Sequence, residues 1–208
     1  MKNRSKRVAI FAALWLLAFG FQSGAARAGL PTEQIKATVD KALVVLRDPK
    51  LKPAAKLKER REELRKILFA RFDFAEMAKR SLGAAWRRRT PQEQEEFVRL
   101  FSDVLERAYT DIIESYSDEK IVYLNERVDV DYADVNSKIV TGKGQEYSIN
   151  YKAHFVGNEW KVYDVVAENV SLVNNYRSQF TRVISKDSYE ELVRRLKDKN
   201  EFTGAPKK

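Results

Sequence analysis

The spacing of apolar residues changes twice along this chain, and this change constrains the fold more than any other feature of the sequence. Over residues 97–116, apolar side chains recur at steps of three and four, the period of an amphipathic helix. Over residues 128–166 the step becomes two, the period of a half-buried strand, and from residue 172 the helical period returns. The order helix, sheet, helix predicts one α+β domain in which a helical layer packs on a small antiparallel sheet of about four strands.

Polar residues that favour helix starts indicate where the helices begin. Thr90 is followed by Pro91 and Glu93, a capping-box pattern that predicts the start of the long apolar helix. Asp73, with Glu76 three residues later, predicts a short helix before it. Two more helices are expected ahead of these and two after residue 172.

Three or four strands joined by short hairpins account for the segment with a period of two. One strand is expected to place these residues on a common face: Tyr147, Ile149, Tyr151, Ala153 and Phe155. After a tight turn at residues 157–158, the next strand is expected to place four residues on a common face: Trp160, Val162, Asp164 and Val166.

The first 28 residues have the pattern of a secretory signal peptide. Residues 1–7 carry four basic side chains and no acid, residues 8–21 are apolar, and Ala26-Arg27-Ala28 supplies the small residues of a cleavage site. An uncleaved anchor is the alternative, but an apolar run of about 14 residues is shorter than the roughly 20 that span a membrane. We therefore expect cleavage before Gly29, a single domain over residues 29–199, and a polar tail over residues 200–208.

The charge of the exported chain is mild. The full sequence carries a formal net charge of +9, but residues 1–28 hold five basic side chains and no acid, which leaves 34 basic and 30 acidic residues. The resulting charge of +4 argues against a nucleic-acid partner. Since the sequence has no cysteine that could carry a lipid anchor, we expect a periplasmic protein.

The residues that usually carry catalysis are scarce. The absence of cysteine excludes thiolate nucleophiles, thiolate zinc sites and disulfides, and His154 is the single histidine. His154 is expected to be a solvated strand residue. Asp129, Asp131 and Asp134 lack the glycine and glutamate of a calcium loop, and residues 142–144 are too short for a phosphate-binding loop. We therefore expect no metal and no cofactor.

Two blocks of sequence resemble the MlaC-type family. The first comprises residues 72–78, Ser81-Leu82-Gly83, Trp86 and Thr90-Pro91-Gln92-Glu93-Gln94, and the second comprises residues 160–165 and 170–180. Their order and spacing hold from about residue 32 to residue 199. One departure is Ala167-Glu168-Asn169, where the family usually has a glycine before the Val-Ser-Leu step.

The resemblance implies a binding and transport function that does not involve catalysis. Members of this family, also called toluene-tolerance proteins, are periplasmic phospholipid-binding components of the Mla lipid-transport system. The resemblance therefore implies a soluble carrier that exchanges lipid with an inner-membrane ABC transporter complex and an outer-membrane complex. A phospholipid with about 30 chain methylenes costs roughly 20–25 kcal/mol to hold in water, so such a carrier needs an apolar cavity.

The spacing of apolar residues assigns side chains to faces of the helices and strands. These faces predict which residues would line the cavity between the sheet and the helical layer. The expected lining comprises Phe74, Met77, Leu82, Trp86, Phe101, Leu105, Tyr109, Tyr147, Ile149, Tyr151, Val173, Tyr176 and Phe180. Arg87, Arg88 and Arg89 form a basic run that is either a solvated face or a docking site at the cavity mouth. Arg177 is expected to pair with Asp164 or a buried carbonyl, with contact to a lipid headgroup as the alternative.

Two other functions stay open on the sequence alone. The first is a carrier for a polycyclic lipid of the hopanoid type within the same family. The second is a small isomerase on a cone-shaped α+β fold, with Asp164 as a buried base and Tyr163 or Tyr151 as the proton donor.

Overall fold

The structure, a computed structural model, describes residues 30–116, 119–198 and 201–202. The predicted signal peptide lies outside the described residues, as does the predicted polar tail except for residues 201–202. The described chain forms, in order, α1 (Leu30–Arg47), α2 (Leu57–Arg71), α3 (Phe74–Leu82), α4 (Pro91–Glu114), β1 (Lys120–Asp129), β2 (Tyr132–Val140), β3 (Glu146–Val156), β4 (Glu159–Ala167), β5 (Val170–Ser171), α5 (Leu172–Lys186) and α6 (Tyr189–Lys197). Short 3₁₀ helices lie at Ala54–Lys56 and Gly83–Arg88.

Side-chain caps start the helices where the sequence predicts them. Asp73 Oδ1 accepts a 2.9 Å hydrogen bond from the backbone N–H of Glu76 at the start of α3. At the start of α4, Thr90 and Glu93 form a complete capping box, with each side chain accepting from the other residue's backbone N–H. No helix among the described residues has both the length and the apolar character needed to cross a membrane.

The sheet is an antiparallel meander in the order β1-β2-β3-β4-β5, so it has five strands where the sequence predicts about four. The longest missed segment is the first half of β1, which begins at Lys120. Residues 121–124 are apolar on both faces, with Val122 and Leu124 exposed, so they lack the alternation that marks a half-buried strand.

A β-bulge in β4 changes which residues share a face. Val162 pairs with Ala153 and Asp164 pairs with Lys152, so Tyr163 is the extra residue between them. Because Ala153 and Lys152 point to opposite faces of β3, Val162 and Asp164 do so too. The predicted common face for Trp160, Val162, Asp164 and Val166 is therefore wrong beyond Val162.

One face of the sheet packs against α1. The buried residues of this sheet core are Ile35 of α1 with Ala133, Val135, Ala153, Trp160 and Val162. Polar contacts fix α1 in place: Thr32 Oγ1 donates to Glu126 of β1 (2.6 Å), and the backbone N–H of Trp160 donates to Gln34 Oε1 (2.9 Å).

Helices α3–α6 form a second core at the β4 edge of the sheet, and α2 packs on α1 in a third, with Ala42, Leu46 and Leu64 buried. Phe97, Phe101, Tyr176 and Phe180 of this helical core pack ring against ring, with centroids 5.3–5.7 Å apart for three edge-on pairs. Phe72 forms a parallel bridge to Val162, and β5 pairs with the other end of β4. The helical layer is thus joined to the sheet along one edge.

Candidate functional site

The structure brings most of the predicted lining residues together, but not all of them. The helical core, with the partly buried residues packed against it, contains Phe74, Met77, Leu82, Trp86, Phe101, Leu105, Tyr109, Val173, Tyr176 and Phe180. Tyr151 packs against the sheet core instead. Ile149 is half-buried, and Tyr147 is 42% exposed beside the β2–β3 hairpin.

Along the face of the sheet that α1 covers, opposite residues of neighbouring strands form rows that extend from the sheet core. Residues directly opposite each other in antiparallel strands share a face. Tyr123, Ser137 and Ile149 form one such row, and Val135, Tyr151 and Val165 form the next. In each row the β2 residue is buried, whereas the residues of the neighbouring strands are half-buried.

Three tyrosines combine burial with residual accessible surface. Burial raises the pKa of Tyr109 to about 12 and the pKa of Tyr151 to about 12, and it also raises the pKa of Tyr123. Each of these side chains nevertheless keeps part of its surface accessible. These side chains are therefore desolvated without being fully enclosed in the close-packed interior.

The tyrosines come from both layers of the molecule. Tyr109 of α4 lies near Tyr176 of α5, and Tyr123 of β1 lies near Tyr151 of β3. The hydroxyls of Tyr123 and Tyr176 are buried without a hydrogen-bond partner among the described residues. The candidate site therefore comprises one pair on α4 and α5 and one pair on the sheet face that α1 covers. Sequence analysis missed Tyr123 because it missed the first half of β1.

Asp164 anchors α5 instead of presenting a free base. Its side chain is buried, Oδ1 accepts a 3.0 Å hydrogen bond from the backbone N–H of Val173, and Oδ2 accepts a 2.6 Å bond from Ser171 Oγ. Neither Tyr163 nor Tyr151 hydrogen-bonds to it in the described chain. This arrangement does not support the isomerase alternative. Within the described residues, no three His, Cys, Asp or Glu side chains are grouped so that they could hold a metal ion.

Arg177 does not pair with Asp164, so that expectation is wrong. Its guanidinium lies over Gly83 at the carboxyl end of α3, where a Cβ on Gly83 would come within 2.9 Å of Arg177 Nε. Gly83 also has a φ of 61°, which favours glycine. Arg177 is exposed and forms no ion pair with any described residue.

The basic run divides into two environments. Arg87 and Arg88 are exposed. Arg89 is half-buried: its guanidinium lies 4.3 Å from the centre of the Tyr189 ring, and Nη1 is 3.3 Å from Glu93 Oε1. Arg87 and Arg88 are therefore available at the surface, whereas Arg89 helps to hold α6 against the start of α4.

His154 is not the solvated residue that its strand position suggests. Its Nε2 lies 2.9 Å from Asp73 Oδ2, and its ring packs edge-on against Tyr163 with centroids 5.6 Å apart. Since the other oxygen of Asp73 caps α3, this contact ties β3 to the start of that helix. Asp129, Asp131 and Asp134 are exposed.

Comparison with known proteins identifies the family. The family model described as MlaC protein matches residues 36–198. The chain belongs to the MlaC family. The resemblance found in the sequence is thus confirmed over nearly the whole described part of the chain.

Two curated proteins are similar to this MlaC-family chain. The intermembrane phospholipid transport system binding protein MlaC of Haemophilus influenzae is 24% identical over 120 residues, which cover 55% of this chain and 56% of that protein. Toluene tolerance protein ttg2D of Pseudomonas putida is 24% identical over 102 residues, which cover 49% of this chain and 47% of that protein. This chain therefore spans about half the length of the curated relatives it matches.

A solved structure shares the fold of this MlaC-family chain. The phospholipid-binding protein of Ralstonia solanacearum, solved in complex with a phospholipid, matches with a TM-score of 0.73 and 26% sequence identity. The match covers 80% of this chain and 94% of that one. The predicted α+β class is confirmed.

Proposed function

We propose that this MlaC-family protein is a soluble periplasmic carrier that binds a phospholipid by its acyl chains. In this proposal the carrier exchanges lipid with an inner-membrane ABC-type transporter complex and an outer-membrane lipid-transport complex. The Ralstonia solanacearum protein of the same fold, which was solved with a phospholipid, supports the ligand class. Export follows from the signal-peptide pattern, and N-terminal sequencing of protein from the periplasmic fraction should give a start at or near Gly29.

The observation that carries this proposal is the set of desolvated but accessible side chains between the two layers. Acyl chains need apolar contact without competing polar groups, and such contact with about 30 methylenes is worth roughly 20–25 kcal/mol. The accessible lining that we assign is Tyr109 from the helices and Tyr123, Ile149 and Tyr151 from the sheet. We add the buried residues Leu105, Val173 and Tyr176, which lie beside Tyr109 in the helical core.

Other predicted lining residues are assigned to support of the site. Phe101 and Phe180 have no accessible surface, and their ring centroids lie 5.7 Å apart. Met77 and Leu82 are buried in the same cluster. These side chains hold the helical wall rigid, and Tyr147, at the exposed end of β3, is left outside the cavity.

The experiment that tests the function is extraction of lipid from protein purified from the periplasm. Mass spectrometry of the organic extract should give phospholipid at a fixed ratio to protein. A hopanoid in the extract would identify a polycyclic lipid, and not a phospholipid, as the ligand. A protein that carries no lipid and takes none from phospholipid vesicles would overturn the carrier proposal.

A further inference from the structure

Helices α2 and α4 run antiparallel and are joined by ion pairs along a line that we call the seam. Arg65 Nε lies 2.9 Å from Glu106 Oε2, and Arg61 Nη2 lies 3.0 Å from Asp111 Oδ1. Arg60 and Arg61 both contact Glu114, at 3.2 and 2.8 Å. By contrast, α4 packs on α3 and α6 mainly through apolar side chains.

An apolar groove of about 720 Å³ opens at one end of the seam. Phe69, Phe72, Phe74 and Val98 form its apolar lining, and the rings of Phe69 and Phe74 stack at 4.2 Å. Phe72 also contacts both the helical core and the sheet core. The groove therefore reaches the boundary between the two layers that flank the candidate site.

The Arg65–Glu106 ion pair separates this groove from a polar cleft of about 320 Å³ farther along the seam. Arg65 lines the groove, whereas Glu106 lines the cleft together with Arg61 and Asp111. The two side chains of the pair are 48% and 37% exposed. Ion pairs this exposed contribute little to stability and are screened by salt, so this contact separates at low cost.

We propose that the Arg65–Glu106 end of the seam between α2 and α4 is the portal through which a phospholipid enters and leaves, and that this ion pair acts as the latch. The proposal rests on the carrier function. A lipid held by its chains cannot leave unless some wall parts. The strands are joined by hydrogen bonds and α3–α6 by a close-packed core. The far end of the seam is held by the half-buried Arg60–Glu114 pair and by Ile113, which packs against an apolar cluster of α1 and α2. The Arg65–Glu106 end is therefore the boundary that parts most easily.

A cleavable cross-link across the seam tests this proposal. Since the sequence has no cysteine, R65C/E106C introduces the only two thiols, and a short bismaleimide with an internal disulfide joins them. The probe is pyrene-labelled phosphatidylcholine, loaded into the protein and followed as it transfers to unlabelled phosphatidylcholine vesicles. We expect the linked protein to transfer at least about tenfold more slowly than the unlinked variant, and reduction to restore the rate.

A matched control places the same linker within one helix. Glu63 and Lys66 form an ion pair within α2, so linked E63C/K66C carries the same reagent without crossing the seam. This control should transfer at the parent rate. Transfer by linked R65C/E106C at that rate would overturn the portal. Failure of the parent to load the probe would instead count against the carrier function, so the two failures are distinguishable.

Charge reversal tests the latch separately. E106R places two cations at the contact, and R65E/E106R restores an opposite pair. We expect E106R to transfer about two- to fivefold faster than the parent, and the double variant to return to the parent rate. Because the vesicles are uncharged overall, this difference reports the seam and not attraction to the membrane. Equal rates for all three proteins would overturn the latch.

Discussion

At the scale of single residues, Tyr109 and Phe101 show how two side chains of one apolar helix face can differ in role. Both lie on α4, but Phe101 has no accessible surface whereas Tyr109 keeps some while burial raises its pKa to about 12. A close-packed side chain and a cavity wall have the same hydrophobic period. The accessible surface is the feature that distinguishes them.

Substitution of Ile149 tests the sheet wall. Ile149→Lys should fold normally, because this half-buried side chain belongs to none of the packed clusters, but it should carry much less phospholipid because an ammonium would face the acyl chains. Circular dichroism and the lipid-to-protein ratio check both parts. Val122→Lys, on the exposed face of β1, is the matched control and should keep its lipid. An unfolded Ile149→Lys protein would place Ile149 in a dry core.

Tyrosine titration tests the same space by a different property. Burial raises the pKa of Tyr109, Tyr151 and Tyr189 to about 12, from an ordinary tyrosine value of 10.0. Because the folded protein holds these protons more tightly than the unfolded chain, their contribution to stability is present below about pH 10 and is lost as the pH rises towards 12.

Removing the lipid should let water reach the two proposed wall residues. We expect the pKa values of Tyr109 and Tyr151 to be lower in delipidated than in loaded protein, as followed by NMR of ¹³C-labelled tyrosine. Tyr189, which donates to the carbonyl oxygen of Glu93 at 3.2 Å and lies under Arg89, serves as the internal reference and should not change. Equal values in both states for all three residues would argue against a lipid beside Tyr109 and Tyr151.

Contacts between residues that are distant in sequence were not predicted from the sequence. Sequence analysis assigned residues to apolar faces correctly on α3, α4 and α5, because each face follows from local spacing. It was wrong about His154 because the partner, Asp73, lies 81 residues away. The predicted Arg177–Asp164 pair was wrong for a different reason: Asp164 instead accepts from Ser171 and Val173 at the start of α5.

At the scale of elements, local signals were sufficient for helices and insufficient for strands. The capping box at Thr90 involves residues three positions apart, so the sequence contains the whole interaction. The bulge at Tyr163 depends instead on how β4 pairs with β3. Such pairing moves every later side chain to the other face, and nothing within β4 alone indicates it.

Removal of the helix cap at Thr90 should lower the stability of the protein without loss of bound lipid. Thr90→Ala deletes the hydroxyl that accepts from the backbone N–H of Glu93 and should lower the free energy of unfolding by about 1 kcal/mol. Urea denaturation measures this loss. Thr181→Ala, at an exposed position within α5, should change stability far less, and both variants should keep their lipid. Loss of lipid from Thr90→Ala would mean that the start of α4 contributes to the binding site.

At the scale of the whole molecule, the arrangement of the two layers explains how one domain can hold a cavity. The sequence predicted helices packed over one face of the sheet, but α3–α6 gather at the β4 edge while α1 alone covers the core of that face. Contacts that join the layers include the Phe72–Val162 bridge, the His154–Asp73 contact, and the hydrogen bonds from the start of α5 to Asp164. Layers joined at one edge can enclose a space that a fully packed sandwich would fill.

Docking of the carrier to a membrane complex takes place at the protein surface, and Arg87 and Arg88 are the surface residues that we expect to affect it. Both are exposed beside Trp86, which packs against the helical core, and Arg89 is excluded because it already contacts Glu93 and Tyr189. Charges at the rim of an interface mainly change the association rate and its dependence on salt. R87S/R88S should therefore slow lipid exchange with the membrane complexes at low ionic strength, while the purified variant keeps its lipid.

The control for this prediction removes the same charge from another place. K50S/K52S, in the connection between α1 and α2, also loses two exposed cations and should exchange lipid at the parent rate. If both double variants slow equally, net charge and not a local docking surface determines the association rate. If R87S/R88S instead loses its lipid, the two arginines belong at the headgroup, because only a group that contacts the cargo changes what the purified protein retains. Raising the ionic strength distinguishes these cases further. If the arginines act in docking, screening should remove the difference in exchange rate. If they contact the headgroup, the variant should still lack lipid at high ionic strength.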